Sequence, residues 1–327
     1  MKSIQKQLSK AYFPEFYLMK GLVYKSTGSW YVVKDESGRL YNARVKGKFK
    51  IDSDITSTNP VTVGDEIEME IEEGAEGTAI ITDICNRKNY INRQSPANKY
   101  QHHIIAANVD QALLICTLKE PRTSQGFIDR FLVAAEAYHI PAILLFNKSD
   151  IYKKKELEKF AEWKNMYESI GYKVLLVSIE KKEGLEAIQN IIRDKTTLIS
   201  GHSGVGKSSF INFLIPSFSL KTQEVSGWSG KGLHTTTFAE MYDIPGGGRI
   251  IDTPGIREFG IVDISKQELS HYFPEMRGLI NDCQFNNCLH MNEPGCAVKA
   301  AVEEEKINID RYVSYCTILE SVNERNY

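Results

Sequence analysis

The sequence predicts an α/β protein in which a parallel, helix-covered sheet stands between a small antiparallel barrel and a helical C-terminal region. Three observations carry that expectation. Short alternating segments broken by turns fill residues 21–93, and apolar runs alternate with amphipathic stretches from about residue 108. A glycine-rich loop joins an apolar strand to a helix near residue 201. At ~150 residues per domain, 327 residues make room for roughly two or three domains.

Composition narrows the class without naming a function. Hydrophobic residues make up 42% and charged residues 25%, ordinary globular usage that excludes collagenous and globally disordered chains. The formal charge of -2 balances 40 basic against 42 acidic residues and gives no whole-chain argument for a polyanionic partner. No apolar run approaches the ~20 residues that cross a bilayer. The start, Met1-Lys2-Ser3-Ile4-Gln5-Lys6, lacks a hydrophobic signal core, so a cytoplasmic protein without membrane association is expected. The six cysteines are then expected to bind metal or to pack, not to form a disulfide framework.

In the barrel, Trp30-Tyr31-Val32-Val33, Leu40-Tyr41-Asn42-Ala43, Val61-Thr62-Val63 and Thr78-Ala79-Ile80-Ile81 read as strands, with turns at Glu36-Ser37-Gly38 and Val63-Gly64-Asp65. Two segments carry opposite charge. Arg44, Lys46, Lys48 and Lys50 fall on every second position, and Glu66, Glu68, Glu70 and Glu72 alternate with Ile67, Met69 and Ile71. These stripes fit solvated faces that pair across strands, and the basic one also fits a surface for RNA phosphates. Tyr24, Trp30, Tyr31 and Tyr41 fit either a barrel core or a stacking platform.

Further on, Ala112-Leu113-Leu114-Ile115-Cys116, Ala142-Ile143-Leu144-Leu145-Phe146, Val174-Leu175-Leu176-Val177 and Thr197-Leu198-Ile199-Ser200 read as buried strands. Helical segments near residues 127–138, 153–167 and 184–193 separate them, the alternation that builds a parallel sheet. From about residue 264 the chain is helical again, interrupted by a loop bearing cysteine and histidine.

The last strand runs into Gly201-His202-Ser203-Gly204-Val205-Gly206-Lys207-Ser208-Ser209 and then a helix. Glycines let successive backbone N–H groups curl around a β-phosphate, Lys207 bridges phosphates, and the Ser208 hydroxyl suits Mg²⁺. The base is read elsewhere. Asn147-Lys148-Ser149-Asp150 ends a buried strand, and a carboxylate there accepts from guanine N1–H and the 2-amino group, whereas adenine offers neither donor. Asn147 is expected to hold the base edge and the loops, and the Lys148 stem to cover a base face. Ile250-Ile251-Asp252-Thr253-Pro254-Gly255 adds an aspartate for a Mg²⁺-bound water and a glycine N–H for the γ-phosphate.

The chain order is unusual, with Asn147 to Asp150 first, the phosphate loop next and Asp252 to Gly255 last. In this the sequence resembles the circularly permuted GTPases. Nothing in sheet assembly forbids that order, because the loops need only meet at one edge. Cys283, Cys288, His290 and Cys296 are spaced C-x4-C-x-H-x5-C, a donor set that suits a closed tetrahedral structural zinc site. Cys85, Cys116 and Cys316 are expected to pack.

Barrel, permuted GTPase and Cys3His loop in this order resemble the small-ribosomal-subunit-dependent GTPases, the RsgA or YjeQ family, over nearly the whole chain. Gly230-Lys231-Gly232-Leu233-His234-Thr235-Thr236-Thr237 is similar to the family's G-x-G-x-H-T-T segment, and Arg87-Lys88-Asn89-Tyr90-Ile91-Asn92-Arg93 stands at the barrel exit. The resemblance implies an oligonucleotide-binding-type (OB-like) barrel over residues 1–93, a circularly permuted P-loop GTPase domain over 94–262 and a helical zinc-binding domain over 263–327. It implies GTP hydrolysis stimulated by the small (30S) subunit, contact with its rRNA, and a part in late subunit maturation, with hydrolysis promoting release. Ser178, Ile179 and Thr236 complete the expected GTP contacts, Thr236 also serving magnesium. Lys231 stands where the family often has arginine, and His202 lies inside the phosphate loop.

Catalysis is less explicit. Many GTPases orient water with a glutamine where this chain has Ile256, so slow intrinsic hydrolysis is expected. His234 is the best substitute for positioning water, Lys207 is the other catalytic candidate, and Arg257 is a weaker one. Gly204 occupies the place of an asparagine that some related GTPases use for potassium, so potassium activation is not expected. A non-catalytic GTP-binding RNA or scaffold module is the alternative; a P-loop kinase is disfavoured by Asn147 and Asp150. A monomer is expected.

Overall fold

The computed structural model describes residues 18–45, 60–72, 76–94, 102–217, 239–253 and 264–322. Strands β1 (Met19–Ser26), β2 (Tyr31–Asp35), β3 (Leu40–Val45), β4 (Glu66–Ile71) and β5 (Thr78–Ile84) close the barrel. The circuit runs β1-β2-β3-β5-β4 and back to β1, antiparallel except for the parallel β3–β5 pair. Alternation along the strands turns Val23, Tyr31, Val33, Ile67, Met69 and Ile81 inward, each at most 2% exposed. Tyr31 and Tyr41 are in the barrel core, Tyr24 is buried on the outer side against the neighbouring sheet, and Trp30 is 49% exposed.

One sequence expectation changes here. Val61-Thr62-Val63 is not a strand: Thr62 N–H donates to Asp65 Oδ2 at 2.8 Å and Asp65 N–H to Thr62 O at 3.2 Å, making a turn. Both valines are fully buried, so their alternation reports the buried corners of a turn. Gly64 has φ +89°, and a Cβ there would lie 2.1 Å from the Ala107 carbonyl oxygen, which only glycine tolerates. The charged stripes meet at one point, as the cross-strand reading of them expects. The exposed Arg44 guanidinium lies 2.5 Å from Glu72 Oε1, across β5, so the acidic stripe already engages the basic one. Lys46, Lys48 and Lys50 lie outside the described residues.

A hairpin of β6 (Tyr90–Gln94) and β7 (His102–Ala107) leads out of the barrel and straddles the expected division at residue 93. Then come β8 (Gln111–Cys116), α1 (Gln125–Ala137), β9 (Ala142–Phe146), α2 (Lys154–Ser169) and β10 (Lys173–Leu176). These are followed by α3 (Leu185–Ile192), β11 (Thr196–Ser200), α4 (Lys207–Leu214), β12 (Glu240–Asp243) and β13 (Arg249–Asp252). The sheet order is β10-β9-β8-β11-β13-β12, all parallel except β12. Every residue of β8 is buried: Leu114 and Cys116 pack toward α1 and α2 with Phe131, Phe160 and Trp163, while Leu113 and Ile115 pack toward α3 and α4 with Ile188 and Phe210.

Barrel and sheet meet where Lys25 of β1 pairs with Glu240 of β12. Tyr24 Oη donates to Asp243 Oδ1 at 2.6 Å and Lys34 Nζ lies 2.5 Å from Asp243 Oδ2. The C-terminal region carries α5 (Pro274–Arg277), α6 (Ala297–Glu303) and α7 (Ile309–Ser321) around Leu269, Phe273, Met276, Val298 and Tyr315, with Val133 of α1 in the same core. Arg311 of α7 is 1% exposed and pairs with Asp129 of α1 at 2.6 Å and Glu275 of α5 at 2.7 Å. Among the described residues no helix is long and apolar enough to cross a membrane.

Candidate nucleotide site and metal cluster

Parallel strands end together, so β8, β9, β11 and β13 deliver their following loops to one sheet edge. Gly201 opens the phosphate loop at φ +144°, where a Cβ would come 2.4 Å from Ile115 O. Gly206 closes it at φ +104°, against the Asn147 amide. Lys207 begins α4 and donates through Nζ to Gly201 O at 2.6 Å and His202 O at 2.8 Å, with Ser208 and Ser209 behind it in the first turn. Burial lowers the Lys207 pKa, and the Asp252 charge works against that. Burial likewise raises the Asp252 pKa against the pull of Lys207. Asp252 Oδ1 is buried and has no hydrogen-bond partner among the described residues. An unsatisfied carboxylate oxygen facing this loop suits a magnesium-bound water, so the residues fit that ion.

On the base side Asn147 is 3% exposed and spends both ends of its amide on loops: Nδ2 donates to Val205 O at 2.8 Å and Oδ1 accepts from Ile179 N–H at 3.1 Å. Asp150 is exposed, and the Ser178 hydroxyl donates to its Oδ1 at 2.5 Å. Lys148, in the left-handed region at φ +66°, donates through Nζ to the Glu120 carbonyl. Ser203, Gly204 and Val205 complete the loop, and a Cβ on Gly204 would meet the Pro121 ring at 3.4 Å. The His202 ring stacks on Phe127 of α1 with centroids 3.7 Å apart. His234, Thr236 and Gly255 lie outside the described residues.

The sequence reading missed Tyr152. It is buried, and its hydroxyl donates to Asn147 O at 2.7 Å while accepting from Leu118 N–H at 2.8 Å. That one oxygen fastens the base-reading loop to the loop after β8. Only its position, two residues beyond Asp150, pointed to it in the sequence.

In the C-terminal region the ligand atoms of Cys283, Cys288, His290 and Cys296 all lie within 4.8 Å of one another. His290 Nδ1 is 3.6 Å from Cys283 Sγ and 3.4 Å from Cys296 Sγ. Burial lowers the His290 pKa, leaving a neutral imidazole with a lone pair to give. The loop is braced from outside: Tyr312 Oη donates to His290 O at 2.7 Å, Tyr315 Oη to Leu289 O at 2.8 Å, and the Glu293 carboxylate accepts from Leu289 and Met291 N–H, both at 2.9 Å. Three thiols and an imidazole so gathered make a cluster able to hold a metal ion. The other cysteines lie elsewhere, Cys116 buried in the sheet core and Cys85 and Cys316 partly buried.

A strand end bearing Asn147 and Asp150, then a glycine-rich phosphate loop, then the β13 aspartate, all on one sheet edge and in that permuted order, define a circularly permuted P-loop GTPase. Residues 84–262 match the family described as RsgA GTPase and residues 20–79 the RsgA N-terminal domain. The chain belongs to the RsgA family of GTPases. It is 51% identical over 307 residues to the protein named small ribosomal subunit biogenesis GTPase RsgA from Flavobacterium psychrophilum, covering 94% of each chain. The Bacteroides fragilis protein of that name is 49% identical, covering 94% of this chain and 99% of its own. Among solved structures, YjeQ from Thermotoga maritima superposes with a TM-score of 0.76 at 31% identity, over 94% of this chain and 100% of that one. YloQ, described as a circularly permuted GTPase, gives 0.70 at 29% identity, over 96% and 99%.

Proposed function

We propose that this protein binds and hydrolyses GTP as a late assembly factor of the small ribosomal subunit, that contact with the subunit and its rRNA stimulates hydrolysis, and that hydrolysis promotes release. The observation that carries the reading is the convergence of Lys207, Asp150 and Asp252 on one sheet edge, in a chain whose relatives near 50% identity bear that name. On GTP binding, Lys207 exchanges its two loop carbonyls for phosphate oxygens, and the backbone N–H groups of Gly201 to Ser209 cradle the β-phosphate. Asp150 accepts from the guanine edge while Ser178 holds the carboxylate. Asn147 ties Val205 and Ile179 to the base loop.

Ser208, Thr236 and, through water, Asp252 would hold magnesium, which would supply charge neutralisation at the phosphates. Zinc is the metal we assign to the Cys3His cluster, as a structural ion. His234 remains the candidate for positioning water. The barrel is taken as residues 1–93, the GTPase domain as 94–262 and the zinc domain as 263–327, in a monomeric, cytoplasmic protein.

Phosphate release measured with and without purified small subunits tests the reading. Turnover should rise with subunits and vanish in Lys207→Ala. No stimulation would remove the ribosomal part, and no hydrolysis at all would leave a GTP-binding scaffold.

A further inference from the structure

His202 stands inside the phosphate loop, yet a cradle of backbone N–H groups asks nothing of its side chain. The imidazole is partly buried and lies on the Phe127 ring, with centroids 3.7 Å apart and planes inclined by 30°. Phe127 is itself held in place. It belongs to the first turn of α1, where its N–H donates to the Ser124 hydroxyl at 3.3 Å, and the neighbouring Ile128 and Phe131 are buried in the sheet core. The segment leading into α1 is closed by Thr123 N–H donating to Thr117 O at 2.7 Å and Thr117 N–H donating to Thr123 Oγ1 at 3.0 Å, with both threonines fully buried. The loop thus meets a rigid face.

The two halves of the loop are anchored differently. On the base side Val205 is fully buried, and its carbonyl accepts from Asn147 Nδ2 at 2.8 Å. Ser203 and Gly204 are exposed, so in the first half it is the His202 ring that reaches a packed helix. The His202 carbonyl, with that of Gly201, accepts from Lys207 Nζ at 2.8 and 2.6 Å. Where the ring rests on Phe127 therefore sets where this carbonyl and its lysine stand.

We propose that His202 is a positioning residue for the nucleotide: its ring, clamped on Phe127, keeps the first half of the phosphate loop in the shape that receives the β-phosphate and presents Lys207. The inference deepens the reading of this edge as a GTP site and rests on it. A loop already in its binding shape gives up less conformational freedom when phosphate arrives. Loss of the clamp weakens every ligand that carries a β-phosphate and spares one that ends at the nucleoside. The cradle serves bound GTP and its transition state alike, so the effect falls on KM and not on kcat.

The test titrates a fluorescent GDP and then competes it with GTP, GDP and guanosine, in wild type, His202→Ala, Phe127→Leu, the double variant and His202→Phe. Each of the first two substitutions should weaken GTP and GDP by about three- to ten-fold, the worth of one aromatic pair. Guanosine affinity should stay unchanged, which also reports an intact base site and fold. The double variant should lose no more than either single one, because both remove the same contact. His202→Phe, which keeps a flat ring on Phe127, should recover most of the loss, and steady-state turnover should show a raised KM for GTP with kcat unaltered. Unchanged GTP affinity in His202→Ala, or additive losses in the double variant, overturns the proposal. His202→Phe binding GTP as poorly as His202→Ala also overturns it, and makes the imidazole a phosphate ligand in its own right. Guanosine weakened along with GTP overturns it in favour of a general loosening of the fold. Wild-type protein that binds neither GDP nor GTP removes the GTP reading itself, and this assignment with it.

Discussion

The Ser178 hydroxyl holds Asp150 at the rim of the site with one carboxylate oxygen engaged and the residue exposed. An amide in its place presents a donor where guanine also has one. Asp150→Asn should therefore weaken GTP binding by about 100-fold or more and favour a xanthine nucleotide, as a fluorescence titration with both would register. Tyr152 acts through Asn147. Tyr152→Phe removes a hydroxyl bridging Asn147 O and Leu118 N–H, a loss of ~1 kcal/mol and roughly five-fold in GTP affinity, with turnover at saturating GTP unaltered. Asn147, Asp150 and the phosphate loop were legible in the sequence because their chemistry depends on residue type at fixed spacing. Tyr152 was not, since its role exists only once β8 and β9 lie side by side and bring Leu118 to it.

Helix α7 links the Cys3His loop, through Tyr312 and Tyr315, to helix α1 of the GTPase domain, through Arg311. Stripping the metal should loosen α6, α7 and the loop between Cys283 and Cys296, seen as faster proteolysis of the C-terminal region, while GTP affinity is retained. Arg311→Met leaves Asp129 and Glu275 buried without a cation and should cost ~3–5 kcal/mol in urea unfolding. Adding Asp129→Leu and Glu275→Leu should recover much of that loss. The parallel strands were readable as apolar runs because both their faces are covered. The Arg311 pair was hidden, because an arginine on an amphipathic helix looks solvated until partners 182 and 36 residues away close over it. The same limit applied to the barrel, whose closure depends on the non-local β3–β5 pair, and to Val61 and Val63, where burial at a turn mimicked a strand.

Across the whole molecule, Asp243 is the electrostatic hinge pin between barrel and sheet. Burial alone would raise its pKa, but the Lys34 ammonium and the Tyr24 hydroxyl outweigh burial and hold it below the usual carboxylate value. A carboxyl depressed in the folded state contributes stability above its unfolded pKa and loses it as pH falls through the folded one. Asp243→Asn should accordingly flatten the loss of stability below about pH 4 in thermal unfolding. With 45% of the side chain exposed the effect should stay under ~1 kcal/mol and shrink in high salt. The strand order has a consequence for biosynthesis. Of the GTPase sheet, a chain emerging from its N-terminus releases β8, β9 and β10 first, and these are neighbours in the finished sheet, so a three-stranded block with α1 and α2 can assemble before any phosphate loop exists. Strands β11 and β13 then add in turn to the β8 edge, and β12 comes to lie between them and the barrel strand β1. The growing chain thus acquires its base-reading half before it can grip a triphosphate, and nascent protein stays blind to nucleotide until the sheet is almost finished.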